Sequence, residues 1–246
     1  MTNVILLDSV PSTNTWAKEH SANLHHGNIV LTHNQTLGRG QRGNNWEAEP
    51  GKNLTFSLCL MPDGIHPAEQ FVISEIVSIA VVNALQNHLC HHVSADRITV
   101  KWPNDIYVDN RKIAGILIEH TLRGCTISQT IAGIGLNVNQ TDFLSPAPNP
   151  VSMSQLSGKE YQLNTILQDI VNDILHQLAN ADHQQIHLTY LNHLWRKDGK
   201  PHRFSTPNGN QFEAVITNVS PTGMLTLTLA DGATHQYAFK EVSFEL

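Results

Sequence analysis

The chain carries little charge and few cysteines. Of its 246 residues only 15% are Asp, Glu, Lys or Arg, against 40% hydrophobic residues. That balance excludes an intrinsically disordered segment, which needs low hydrophobicity and high net charge. What charge there is runs acidic: 15 Lys and Arg against 21 Asp and Glu give −6. A chain so short of basic residues lacks the positive footprint of a non-specific nucleic-acid binder. Its three cysteines, Cys59, Cys90 and Cys125, are odd in number and widely spaced. They form neither a disulfide framework nor a Cys-x-x-Cys pair, so a cytoplasmic location is expected. Met1 to Pro11 hold no basic stretch and no long apolar run, so no signal peptide is expected. The most apolar segment, Phe71 to Leu89, is interrupted by Glu75, Asn83 and Gln86. It falls short of the roughly 18–20 uncharged residues of a membrane span, and no membrane partner is expected. Internal repeats, low-complexity tracts and heptads are also missing.

At about 150 residues per domain, the length suits one large domain plus one small one. Short apolar runs at Val4–Leu7, Asn28–Thr32, Leu54–Leu60, Ile98–Lys101, Ile106–Val108, Ile113–Glu119 and Ile127–Val138 read as strands. Tight turns between several of them, such as Asp109-Asn110, favour an antiparallel or mixed sheet. Ser12-Thr13-Asn14 before Trp16 reads as a capped helix start. Glu69–Leu89 is apolar on most faces and reads as a buried helix. Leu163–Leu178 repeats apolar residues at i, i+3 and i+4 and reads as an amphipathic helix, with another over His187–Trp195. Residues 142–158, rich in Pro, Ser and Asn, read as a loop. From Gly199 the texture changes to short runs separated by turns, an all-β module. The expected division is 1–198 and 199–246.

Three segments carry chemistry. Gly38-Arg39-Gly40-Gln41-Arg42-Gly43-Asn44-Asn45-Trp46 combines glycines, which let backbone amides approach an anion, with two arginines and no acid. Arginine forks suit phosphate or carboxylate. The pattern is neither a Walker A loop nor a dinucleotide fingerprint, and the alternative is a solvated loop. Lys101-Trp102-Pro103-Asn104-Asp105 ends a strand at a proline that cannot continue it, with Lys112 seven residues after Asp105. A lysine there can offset charge at a carboxylate or α-phosphate, and Asp105 can help hold Mg²⁺. The alternative is a turn with a surface ion pair. Gly133-Ile134-Gly135-Leu136-Asn137 puts glycines inside a strand, which is costly unless something packs close to the backbone; a planar ligand hydrogen-bonded by Asn137 is one possibility and a bulge the other. His88-Leu89-Cys90-His91-His92 matches no zinc spacing.

Taken in order, Asp8-Ser9-Val10-Pro11-Ser12-Thr13-Asn14, Gln35-Thr36, the Gly38–Trp46 loop, Lys101–Asp105, Lys112–Leu117 and Gly133–Val138 closely resemble the biotin protein ligases. The resemblance implies an α+β fold of the class II aminoacyl-tRNA synthetase/biotin ligase kind. Its mixed or antiparallel sheet would be flanked by helices, with a small C-terminal all-β SH3-like domain. It implies ATP-dependent activation of biotin to biotinyl-5′-AMP, with Mg²⁺, and transfer to a lysine of a biotin carboxyl carrier protein, the acetyl-CoA carboxylase subunit. By that resemblance Ser12, Thr13, Asn14, Gln35, Arg39, Gly40, Gln41, Lys101 and Gly115 meet biotin. Arg42, Trp46, Asn104, Lys112 and Asn137 meet the nucleotide, Asp105 the metal, and Lys101, Arg39 and Lys112 are the catalytic set. Gln41 stands where many members carry Arg, a position linked to retaining the adenylate. The Ser-Thr-Asn motif begins at residue 12, which resembles the ligase-only type without a DNA-binding domain, acting as a monomer or homodimer. The lipoate and octanoyl transferases share the fold and are the enzymatic rival; a biotin- or nucleotide-binding module without turnover is the other.

Overall fold

The computed structural model describes residues 3–41, 45–144, 149–180 and 182–245. Its frame is a seven-stranded mixed sheet in the order β1-β2-β3-β7-β6-β5-β4. The strands are β1 (Val4–Val10), β2 (Ile29–Gln35), β3 (Leu54–Leu60), β4 (Ile98–Lys101), β5 (Asp105–Val108), β6 (Arg111–Arg123) and β7 (Thr126–Leu136). β1 and β2 are parallel and all other neighbours antiparallel. Every strand read from the sequence is present, most of them longer than the apolar run alone.

Alternation along β3 sorts its residues to two different faces. Leu54, Phe56, Leu58 and Leu60 turn to the main core, where α2 (Phe71–Leu89) lies, while Thr55 and Ser57 turn to the other face and Cys59 joins a smaller cluster there. All seven are buried, because that second face is itself covered, by α1 (Thr13–Glu19). α2 in turn is overlaid by α4 (Leu163–Asn180) and α5 (His183–Asn192), which explains why it is apolar nearly all round. By length and composition the segment Pro67–Leu89 could cross a membrane; here 67% of its most apolar window is buried inside the fold.

Two helical expectations shift. Residues 153–157, inside the expected loop, form the short helix α3, started by a reciprocal Ser152–Gln155 capping box and ended by left-handed Gly158. α5 begins earlier than expected because Asp182 caps it by accepting from Gln184 N. It stops before Leu194 and Trp195, which instead follow the edge of β4.

Beyond residue 199 the chain forms a five-stranded antiparallel sheet, β11-β10-β9-β8-β12. Its strands are β8 (His202–Ser205), β9 (Gln211–Val219), β10 (Leu225–Thr228), β11 (Thr234–Tyr237) and β12 (Ser243–Phe244). β8 and β12 carry no sequence signal beyond their length. The turn between β9 and β10 wedges against the large unit: Phe71 N donates to Pro221 O at 3.3 Å and Trp102 Nε1 to Gly223 O at 3.0 Å.

Candidate active site

Facing α1, the sheet opens into a cavity of about 260 Å³. Its floor is flat because Gly115 on β6 and Gly135 on β7 stand directly opposite each other. The indole of Trp46 lies on this strip. A Cβ on Gly135 would come within 2.3 Å of Trp46 Cε2, and one on Gly115 within 3.1 Å of Cζ3. The sequence signal of in-strand glycine therefore meant close approach of a planar group, and in this structure that group is the protein's own indole. Gly133 serves the same end differently: a Cβ there would strike Asn14 Oδ1 at 2.2 Å.

The inner end is polar. Ser12 caps α1 by accepting from Thr15 N at 3.4 Å, which sets Thr13 and Asn14 in the buried first turn. Thr13 N donates to Gln35 Oε1 at 2.9 Å. Ser57 Oγ lies 2.8 Å from Thr13 Oγ1 and 2.6 Å from Asn14 Oδ1. Asn14 Nδ2 donates to Leu117 O at 3.0 Å and to Glu119 Oε2 at 3.1 Å. The hydroxyl and amide groups expected from the motif are thus brought together.

Arg39 stands beside this recess: it donates to Thr15 Oγ1 at 3.0 Å and pairs at 3.4 Å with Glu119, the carboxylate that Asn14 also reaches. Two lysines mark the other end. Lys112 Nζ pairs with Asp105 Oδ1 at 2.7 Å and stands 5.6 Å from the Trp46 ring. Lys101 Nζ donates to the Tyr107 hydroxyl at 3.1 Å. Burial holds the Lys101 ammonium below the usual lysine range, against Asp105, which raises it, and with Lys112 and Arg196, which lower it further. Burial, with Asp105 adding to it, pushes the Tyr107 phenol up. Among the described lining cations Arg39 is paired with Glu119 and Lys112 with Asp105, which leaves Lys101 as the lining cation with no carboxylate pair to draw an anion.

Gly40, Gln41 and Asn104 also line the cavity. Asn104 is held there by donating to Ile116 O at 2.6 Å. Asn137 stands apart. It is 3% exposed, donates to Val151 O at 3.2 Å and is not a wall of the cavity. Arg42 lies outside the described residues. Among the described residues no three His, Cys, Asp or Glu side chains converge as a metal site. Sequence reasoning missed Ser57, Glu119, Tyr107, Trp195 and Phe244. Glu119 shares the parity of Gly115 and Leu117 on β6, which was the available signal; the β4–β5 hairpin lays Tyr107 beside Lys101, and Trp195 and Phe244 owe their place to long-range packing.

A mixed sheet with a polar inner recess and a cationic mouth defines a pocket for a small ligand that carries hydrogen-bonding groups at one end and negative charge at the other. The model of the Biotin/lipoate A/B protein ligase family matches residues 6–137, and the chain belongs to that family. It is 34% identical over 137 residues to the "Bifunctional ligase/repressor BirA" of Salmonella typhimurium, a match covering 55% of this chain and 41% of that protein. It is 34% identical over 133 residues to the "Biotin--[acetyl-CoA-carboxylase] ligase" of Paracoccus denitrificans, covering 54% of this chain and 53% of that one. These matches span about half or less of the relatives' length. The BirA of Bacillus spizizenii matches at 28% over 96% of this chain and 72% of its own. The biotin protein ligase of Aquifex aeolicus, solved with biotin and ATP, shares the fold with a TM-score of 0.81 at 22% identity, covering 100% of this chain and 99% of that one.

Proposed function

We propose that this chain joins biotin to a lysine of a biotin carboxyl carrier domain at the expense of ATP. The observation that carries the reading is the division of one cavity into a hydrogen-bonding recess around Asn14, with Arg39 beside it, and a mouth holding Lys101 and Lys112. Biotin's ureido ring offers two N–H donors and a carbonyl. Thr13, Asn14, Gln35 and Ser57 are matched to it, with Ser12 setting the turn that presents them. The dithiolane of lipoate offers no such groups and would gain no hydrogen bonds in the recess, which favours biotin over the rival acyl substrate.

In the first step a biotin carboxylate oxygen attacks the α-phosphorus of MgATP, and the bond to the departing pyrophosphate breaks. Lys101, Lys112 and Arg39 offset the charge that gathers on the carboxylate and phosphate oxygens. Gly40, Gln41, Gly115, Trp46, Asn104, Asn137 and Arg42 are assigned to biotin and nucleotide by the family resemblance. Asp105, the one carboxylate among the cavity's described lining residues, would help hold the magnesium of MgATP, which would supply positive charge to the phosphate oxygens. In the second step the ε-amine of the carrier lysine attacks the mixed anhydride, an amide bond forms, AMP leaves and the amine loses a proton. We assign catalysis to the unit 1–198 and a supporting role to 199–246. The free cysteines, with Cys90 and Cys125 exposed, suit a reducing cytoplasm.

Intact-mass analysis tests this. A carrier domain incubated with the protein, biotin and MgATP should gain one biotinyl group, and lipoate in place of biotin should give little. An unchanged carrier mass together with no biotin-dependent pyrophosphate release refutes the reading.

A further inference from the structure

The two lysines at the mouth are held in different ways. Lys112 is paired with the Asp105 carboxylate at 2.7 Å. Lys101 has no carboxylate at that distance; its Nζ lies 4.9 Å from the Tyr107 ring centroid, 5.5 Å from Trp195 and 5.6 Å from Phe244. These rings form a continuous tilted row, with centroids 5.5 Å apart from Tyr107 to Trp195 and 5.4 Å from Trp195 to Phe244. They come from three places: β5, the segment after α5, and β12 of the small sheet. Arg196, stacked 4.1 Å from the Trp195 ring, donates to Glu245 O at 2.6 Å and so ties down the strand that presents Phe244.

We propose that the Trp195 and Phe244 rings, with the Tyr107 hydroxyl beside them, form a cradle that fixes the Lys101 ammonium at the cavity mouth, making Phe244 of the small sheet a positioning residue for adenylate formation. The proposal rests on the biotin-activation reading above. Its physical basis is a contrast. A carboxylate neutralises the ammonium it holds, whereas ring faces attract a cation through their quadrupole and leave its net charge in place. Lys101 therefore keeps its full charge for an incoming carboxylate or phosphate, although burial opposes that charge. The charged neighbours around it are Asp105 and Lys112 on the sheet and Arg196 behind Trp195. The Tyr107 hydroxyl adds direction by accepting from Nζ.

Two readouts test this on the full-length protein. In NMR spectra the ε-CH₂ signals of Lys101, assigned by their loss in Lys101→Arg, should lie upfield of those of exposed lysines because of the ring currents. Phe244→Leu keeps apolar bulk and removes one ring; it should move those signals towards the exposed-lysine position. The same variant should lower kcat for biotin-dependent pyrophosphate release by about 3- to 30-fold, the scale of a partly buried cation–π contact. The KM for biotin should change less than about 2-fold. Phe244→Tyr should restore both readouts, and Trp195→Phe, which keeps a ring, should fall between them. If Phe244→Leu melts early, Tyr107→Phe supplies the test, with the ring-current shift kept and kcat lowered. An unshifted Lys101 in the wild type overturns the cradle, as does a Phe244→Leu variant with wild-type kcat and spectrum. Absence of pyrophosphate release from the wild type, with Lys101 upfield, instead refutes the activity reading and takes the positioning role with it.

Discussion

Substituting Gly135 by alanine probes the floor of the cavity directly. The new Cβ would stand 2.3 Å from Trp46 Cε2, 2.6 Å from Nε1 and 2.7 Å from Cζ2. Carbon atoms pack at about 3.5–4.0 Å, so the overlap exceeds about 1 Å. The strand cannot recede, because β7 is bonded along its length to β3 on one side and β6 on the other. The indole must lift instead. Overpacking of this kind costs about 1–3 kcal/mol. If the nucleotide binds only with Trp46 seated, that cost is about a 5- to 150-fold loss of ATP affinity. Calorimetric titration with ATP measures the loss. The Trp46 emission, taken as the difference between wild type and Trp46→Phe, reports whether the indole has moved. Trp46→Leu should relieve the overlap, so the double variant should be non-additive by more than about 1 kcal/mol. Wild-type affinity and unchanged emission in Gly135→Ala would refute the reasoning.

Three other outcomes are expected. Lys101→Met should abolish pyrophosphate release yet melt higher than wild type at neutral pH. Burial lowers the Lys101 value in the folded state, so its cost is fully present below that value and fades as pH rises towards the ordinary lysine range; a lower melting temperature at neutral pH would contradict this. Glu75, 3% exposed, has its carboxyl raised by burial against the hydrogen bond and charge of His187. The folded state thus holds this proton more tightly than the unfolded one, and Glu75 subtracts stability as pH rises out of the ordinary carboxylate range. Urea midpoints of Glu75→Gln should therefore gain on wild type with rising pH, and parallel curves would count against it. Gln41→Arg should lengthen the residence of biotinyl-5′-AMP about tenfold, one contact of about 1.4 kcal/mol, as read by stopped-flow release; equal or faster release would leave retention to other groups.

Local rules made much of this legible. Strand alternation in β3, the Ser12 cap and the i, i+3, i+4 spacing of α4 each depend on neighbours in sequence, and each appears where expected. The site residues legible in advance were those whose chemistry is unusual for their setting: glycines inside strands, a Lys-Trp-Pro-Asn-Asp turn, arginines among glycines. Tyr107, Trp195 and Phe244 were not legible, because aromatic residues near strands ordinarily signal core. Only the docking of β12 beside β8 brings Phe244 to Lys101. Asn137 is legible only in part. Its Nδ2 is spent on the Val151 carbonyl, while its buried Oδ1 has no partner among the described residues and keeps an acceptor for the role proposed above.

The turn of the small sheet that grips Trp102 and Phe71 has a consequence for how the molecule fails under heat. The Gly223 carbonyl holds the indole of Trp102, the residue after Lys101, and Pro221 accepts the first amide of α2. One apolar core runs through both sheets, so loosening of the five-stranded sheet also loosens the segment that carries Lys101. Inactivation on heating should therefore coincide with loss of both sheets in one transition.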